Sequence, residues 1–166
     1  MNQFDAGLLL LRAVFGLFLA YHGYNKFFGP GGLSGTARWF GDIGMRWPRW
    51  QARLAATTEV GSGVLLALGL LTPLAAAGMV GVMTVAIAVA HWKVGFFIFK
   101  PNQGWEYCAS IAVTAFVIAT VGPGRWSLDH AAGIRWNGWT GAAIAGPAGL
   151  IGAVGQLAVS YRPKRA

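Results

Sequence analysis

LLLLRAVFGLFLAYHGYNKFFGPGG, residues 8–32, sets the fold class. An apolar run carries one arginine, Arg12, and finishes on His22, Asn25 and Lys26 before glycine and proline stop it. Crossing a membrane takes about 20 mostly apolar residues, and Gly7–Phe28 supplies them. At about 100° per residue, Arg12, Gly16, Leu19, Gly23 and Lys26 share one helix face, with His22 beside it. The two glycines allow a neighbouring helix to approach that face closely.

The whole chain has the same character. It is 55% apolar and 11% charged, with 25 glycines and 8 tryptophans, whereas a soluble domain carries about 25% charged residues. That composition fits membrane helices with aromatic interfacial belts. The length allows one domain. The net charge of +8 does not point to nucleic acid, because nearly all basic residues lie between apolar runs, as membrane topology requires. Some are placed to touch anionic lipid headgroups. A single cysteine, Cys108, rules out an intramolecular disulfide and any CxxC pair. The N-terminus lacks a basic region and an A-x-A site, so its apolar run reads as a retained helix.

Further spans are expected at Leu54–Leu71, Leu74–Trp92 and Glu106–Val121. Thr72 and Pro73 form the hairpin turn between the first two of these. A fifth, Thr140–Tyr161, contains Pro147 and small residues suited to close packing. SGTARWFGDIGMRWPRWQAR, residues 34–53, mixes tryptophan and arginine and reads as interfacial. FFIF, between Lys93 and Lys100, is too short to cross and reads as interfacial or re-entrant. The fold class is an all-α membrane protein, a four-helix transmembrane bundle with a fifth C-terminal span. Residues 1–130 form the bundle; 131–166 form an extension with a basic tail.

Orientation follows from lysine and arginine counts. Lys26, Arg38, Arg46, Arg49, Arg53, Lys93, Lys100, Arg162, Lys164 and Arg165 fall on one side, Arg125 and Arg135 on the other. The bias puts the N-terminus outside and the tail in the cytoplasm. Glu59 then lies six residues past Arg53, roughly 9 Å above the inner surface. His22, Lys26, Glu59, His91 and Glu106, with Asn102 nearby, fall in one inner layer drawn from four helices. On the fourth helix Glu106, Ser110 and Thr114 form a polar stripe.

An ion in hydrocarbon costs about 2.5–3.5 kcal/mol even on an insertion scale. Glu59 therefore needs a partner, a proton or water. His22 and Lys26 are the depth-matched partners. Two readings follow: a helix-to-helix clamp, or a polar pocket open to the inner leaflet. Arg12 lies on the outer side, with Asp129 as its partner, Asp5 as the alternative, and snorkelling as a third option. No metal site is expected. His22, His91, Glu59 and Glu106 lack the Glu-x-x-His spacing of di-metal bundles. The chain has no nucleophile with its base, phosphate loop or dinucleotide fingerprint, and no cofactor attachment site.

The chain resembles the DoxX family of small bacterial membrane proteins. The resemblance rests on LLLLRAVFGLFLAYHGYNKF, TTEVGSGVLLALGLLTPLAA, the N-x-G-x-E ending at Glu106, and VGPGRWSLD, within about residues 7–130. It implies a four-helix bundle in the bacterial inner membrane and association with oxidoreductase systems, some of them quinone-linked. It carries the family pattern onto Arg12, His22, Lys26, Glu59, Glu106 and Asp129. The extension after residue 130 departs from that pattern.

The expected function is an accessory or ligand-binding subunit of a membrane-associated oxidoreductase system. It would hold a quinone or another lipid, or dock a protein partner. Phe27, Phe28, Trp92, Phe96, Phe97 and Trp105 would suit an isoprenoid headgroup, and also suit plain interfacial anchoring. The alternatives are a helix-packing subunit of a larger complex or homo-oligomer, and a proton-coupled enzyme or transporter using Glu59.

Overall fold

The computed structural model describes residues 2–163, so Lys164 and Arg165 of the basic tail lie outside the described residues. Among the described residues seven helices form: α1 (Gln3–Phe28), α2 (Gly32–Asp42), α3 (Pro48–Leu68), α4 (Thr72–His91), α5 (Glu106–Val121), α6 (Leu128–Ala131) and α7 (Gly138–Ser160). Among the described residues no strand forms beyond one isolated bridge, Met45 to Tyr161.

α1, α4 and α7 are each long and apolar enough to cross a membrane. α5 is apolar with 16 residues. α3 carries Arg49, Arg53 and Glu59 among its 21. The packing is that of a membrane protein. The interior is built from small side chains, among them Ala75, Ala76, Ala115, Ala119 and Ala145. Large apolar residues such as Leu10, Phe18, Val113, Ile151 and Val154 point outward. Lipid is as apolar as leucine, so close backbone approach rather than hydrophobic burial selects the inner residues.

α1 packs along α3, α3 on α4, and α4 on both α5 and α7, while α2 lies against α3. The buried stripe of α1 is Asp5, Leu8, Arg12, Gly16, Leu19 and Gly23, the face expected from spacing. Where α1 crosses α3, Gly16 meets Gly63 so closely that a methyl group on Gly16 would lie 2.5 Å from the Gly63 carbonyl oxygen.

Several boundaries differ from expectation. α1 starts at Gln3 because the Asn2 side chain accepts from the Phe4 amide and caps it. α3 begins at Pro48, six residues before Leu54; proline fits a first turn, and Gln51, Ala52, Ala55 and Ala56 are buried from there on. The α3–α4 turn is residues 69–71, with Gly69 at φ 64° closing α3. Thr72 and Pro73 are the first turn of α4. The interfacial segment includes a helix, α2, whose Ala37 and Phe40 are buried. Pro147 sits in a π-helical turn, Ile144–Ala148, that lets α7 continue. The Glu106–Ser110–Thr114 stripe is not the buried face of α5, which is Cys108, Ile111, Ala115, Ile118 and Ala119.

The last turn of α7 is clipped to the loop after α2. The Arg46 amide donates to the Ser160 carbonyl at 2.7 Å, and the Arg162 amide to the Gly44 carbonyl at 2.8 Å.

Candidate ligand-binding site

The C-terminal ends of α1, α4 and α7 and the N-terminal parts of α3 and α5 meet at one end of the molecule, with α2 across it. Lys26, in the last turn of α1, donates to both carboxylate oxygens of Glu59 on α3, at 2.9 and 2.6 Å. Glu59 is buried and the lysine side chain is about a quarter exposed. This is the one ion pair among the described residues. Of the two partners that depth allowed for Glu59, the geometry takes Lys26.

His91 closes α4 and faces α5. Its Nδ1 lies 2.8 Å from the Gln103 carbonyl oxygen and its Nε2 2.8 Å from the Tyr107 hydroxyl. A carbonyl oxygen only accepts, so Nδ1 carries the proton and Nε2 accepts from Tyr107. The His22 ring lies within 15° of parallel to the Tyr107 ring, centroids 6.5 Å apart. The His22 side chain makes no hydrogen bond to another described residue.

These groups line a cavity of about 370 Å³, within the usual range for ligand pockets. Its remaining walls are apolar or small, with Leu54 and Ala55 from α3, Gly78 and Val82 from α4, and Gly152 and Ala153 from α7. Trp39 and Phe40 of α2 border its polar end. There Gln156 of α7 donates to Gln51 of α3 at 2.7 Å, joining the two walls.

Four of the sequence candidates, His22, Lys26, Glu59 and His91, thus surround one cavity. Glu106 does not join them. Its carboxylate accepts from the Ile98 amide at 3.1 Å and borders a separate groove of about 430 Å³ between α1 and α5. His22 and Tyr107 line both spaces and form the partition. Asn102 is an exposed loop residue at φ 68°. Among the described residues, no group of three or more His, Cys, Asp or Glu side chains is arranged to hold a metal ion.

Sequence reasoning missed Tyr107 and the Gln51–Gln156 bridge. Tyr107 carries a signal, a phenol one residue past Glu106 in an apolar helix, where a buried hydroxyl needs a partner.

At the opposite end, Arg12 is almost fully buried and donates to the Trp126 carbonyl. Its Nε and Nη1 have no partner among the described residues. The Asp129 carboxylate accepts from the Leu71 and Thr72 amides, at 2.7 and 2.9 Å, and so caps α4. Asp5 accepts from the Arg125 amide at 2.9 Å. Arg12 and Asp129 therefore meet in one buried knot around Gly69 without forming a direct ion pair.

An alanine-rich helical bundle with outward leucines and one polar end defines a small membrane protein, and sequence comparison gives its family. The DoxX family model matches residues 7–92; the chain belongs to the DoxX family. It is 32% identical over 130 residues to the Bacillus subtilis (strain 168) protein named "Putative oxidoreductase CatD", an alignment covering 78% of this chain and 90% of that protein. No solved structure matches it.

Proposed function

We propose that this protein is an accessory, ligand-binding subunit of a membrane-associated oxidoreductase system, holding a quinone or other lipid in its cavity. The observation that carries the reading is the cavity itself, apolar along its length and polar at one end. A clamp needs Lys26 and Glu59 alone. It does not need a space of about 370 Å³ beside them, bordered by His22, Tyr107 and the small residues of α7. The oxidoreductase link is supported by the family and by the name of the Bacillus relative.

The proposed setting is the bacterial inner membrane, crossed five times, with the N-terminus outside and the tail in the cytoplasm. The clip between Gly44–Arg46 and Ser160–Arg162 supports this, because it brings the tail to the end that holds the first loop. The basic residues gathered at that end support the same sense. Residues 131–166 are proposed as an extension whose helix supplies one cavity wall.

Mass spectrometry of protein purified in mild detergent, with its lipophilic ligands and co-purifying proteins, tests the proposal against Gly152→Phe. Gly152 borders the cavity and a methyl group there meets nothing within 4 Å, so a ring can be added at the cavity's edge without displacing backbone. The wild type is expected to carry a stoichiometric amphiphile that the variant lacks, alongside an oxidoreductase partner. Equal ligand content in the two proteins, or an empty wild type, defeats the binding role.

A further inference from the structure

We infer that the cavity selects an uncharged amphiphile, a single apolar chain carrying a flat head of quinone or quinol type, and excludes phosphate headgroups. The inference rests on the binding reading above and narrows it to a ligand class.

Charge comes first. Among the described residues Lys26 is the only lysine or arginine bordering the cavity, and it directs two of its three N–H groups at both oxygens of Glu59. Among the described lining residues no cation is left free. A phosphate entering this space must draw Lys26 off Glu59 and leave a buried carboxylate uncompensated, which is strongly unfavourable. A neutral head disturbs nothing.

Hydrogen-bonding capacity comes second. His22 has both a donor and an acceptor unused, because no described residue bonds to it. Tyr107 gives its proton to His91, so its oxygen keeps acceptor capacity. The third Lys26 N–H is also unassigned. Ring carbonyls take the donors, and ring hydroxyls take the acceptors. The aromatic faces of His22 and Tyr107 border the cavity, where a flat ring can stack against one of them.

Shape comes third. The lining runs along α4 from Ala77 to His91, about four turns or roughly 21 Å. Gly78 and Gly81 on α4 and Gly149 and Gly152 on α7 border this stretch. A lining that extends this far along α4 has the reach to take one apolar chain.

Native mass spectrometry of delipidated full-length protein with decylubiquinone and short-chain phosphatidylglycerol tests the inference. The wild type is expected to bind one quinone, about tenfold or more tighter than the phospholipid. Glu59→Gln releases Lys26 and is expected to gain phosphatidylglycerol, so that the preference falls by about tenfold. Lys26→Gln/Glu59→Gln, with no charge to bury, is expected to restore the preference and also stands in if the single variant fails to fold. Phosphatidylglycerol competing equally in the wild type overturns the selectivity and leaves the binding role intact. Binding of neither probe, with Gly152→Phe indistinguishable from wild type, overturns both.

Discussion

Placing a methyl group on Gly16 tests the α1–α3 seam that carries the polar pair. The new carbon lies 2.5 Å from the Gly63 carbonyl oxygen and 2.7 Å from the Ala67 amide nitrogen. On the other side, a methyl group at Gly63 lies 2.6 Å from the Ala20 amide nitrogen. These obstacles are backbone, so no side chain rotates away. Ordinary contact is reached only when the two axes part by about 1 Å. Overpacking of this kind costs about 1–3 kcal/mol, and the better helix propensity of alanine returns about 1 kcal/mol. Net destabilisation of up to about 2 kcal/mol is expected for Gly16→Ala, which puts its melting temperature roughly 2–12 °C below that of a variant that gains the same propensity without the clash. Thermal unfolding in one detergent, followed by tryptophan fluorescence, measures it. Gly7→Ala is the control on the same helix, since its methyl group meets nothing within 4 Å, and it is expected to be neutral or stabilising. Equal melting temperatures for the two variants would refute the close crossing.

Lys26→Met strands the buried Glu59 carboxylate and is expected to destabilise by about 3–5 kcal/mol; Lys26→Met/Glu59→Leu recovers most of that loss in the same assay. Asp129→Ala leaves the Leu71 and Thr72 amides without their acceptor, and a loss of about 1–3 kcal/mol is expected, with Asp129→Asn losing less. Tyr107→Phe is expected to shift the nitrogen-15 resonance of His91 Nε2 while leaving the fold intact; an unchanged resonance would show that the phenol does not donate there. In a Cys108→Ala background, cysteines at Lys100 and Gly133 should react with an impermeant thiol reagent from opposite sides of the membrane, and labelling from one side would defeat the five-span topology.

The helices were legible because lipid crossing imposes length and apolarity that a sequence displays directly. The pairing of Glu59 was half legible. Depth and helix face brought it to Lys26 and His22, and side-chain reach then decided between them. Glu106 was misread because a depth count ignores the loop beside it. Residues 92–105 turn back so that the Ile98 amide meets the Glu106 carboxylate, which removes the acid from the cavity. The turn at residues 69–71 was displaced because Thr72-Pro73 looks like a break, yet proline opens a helix as readily as it ends one. Asp129 was assigned to Arg12 by charge, whereas two amides at the start of α4 were the nearer claim on its carboxylate. α7 gave no sequence sign that it walls the cavity, since its glycines read equally well as a packing face.

The clip between α7 and the loop after α2 has a consequence for assembly. The polar pair belongs to α1 and α3, which leave the ribosome early, but one side of the cavity is contributed only when α7 arrives. A nascent chain paused after α5 has a charged couple beside an open trough, exposed sideways to the bilayer. The wall on that side is therefore completed late, only once α7 has packed onto α4.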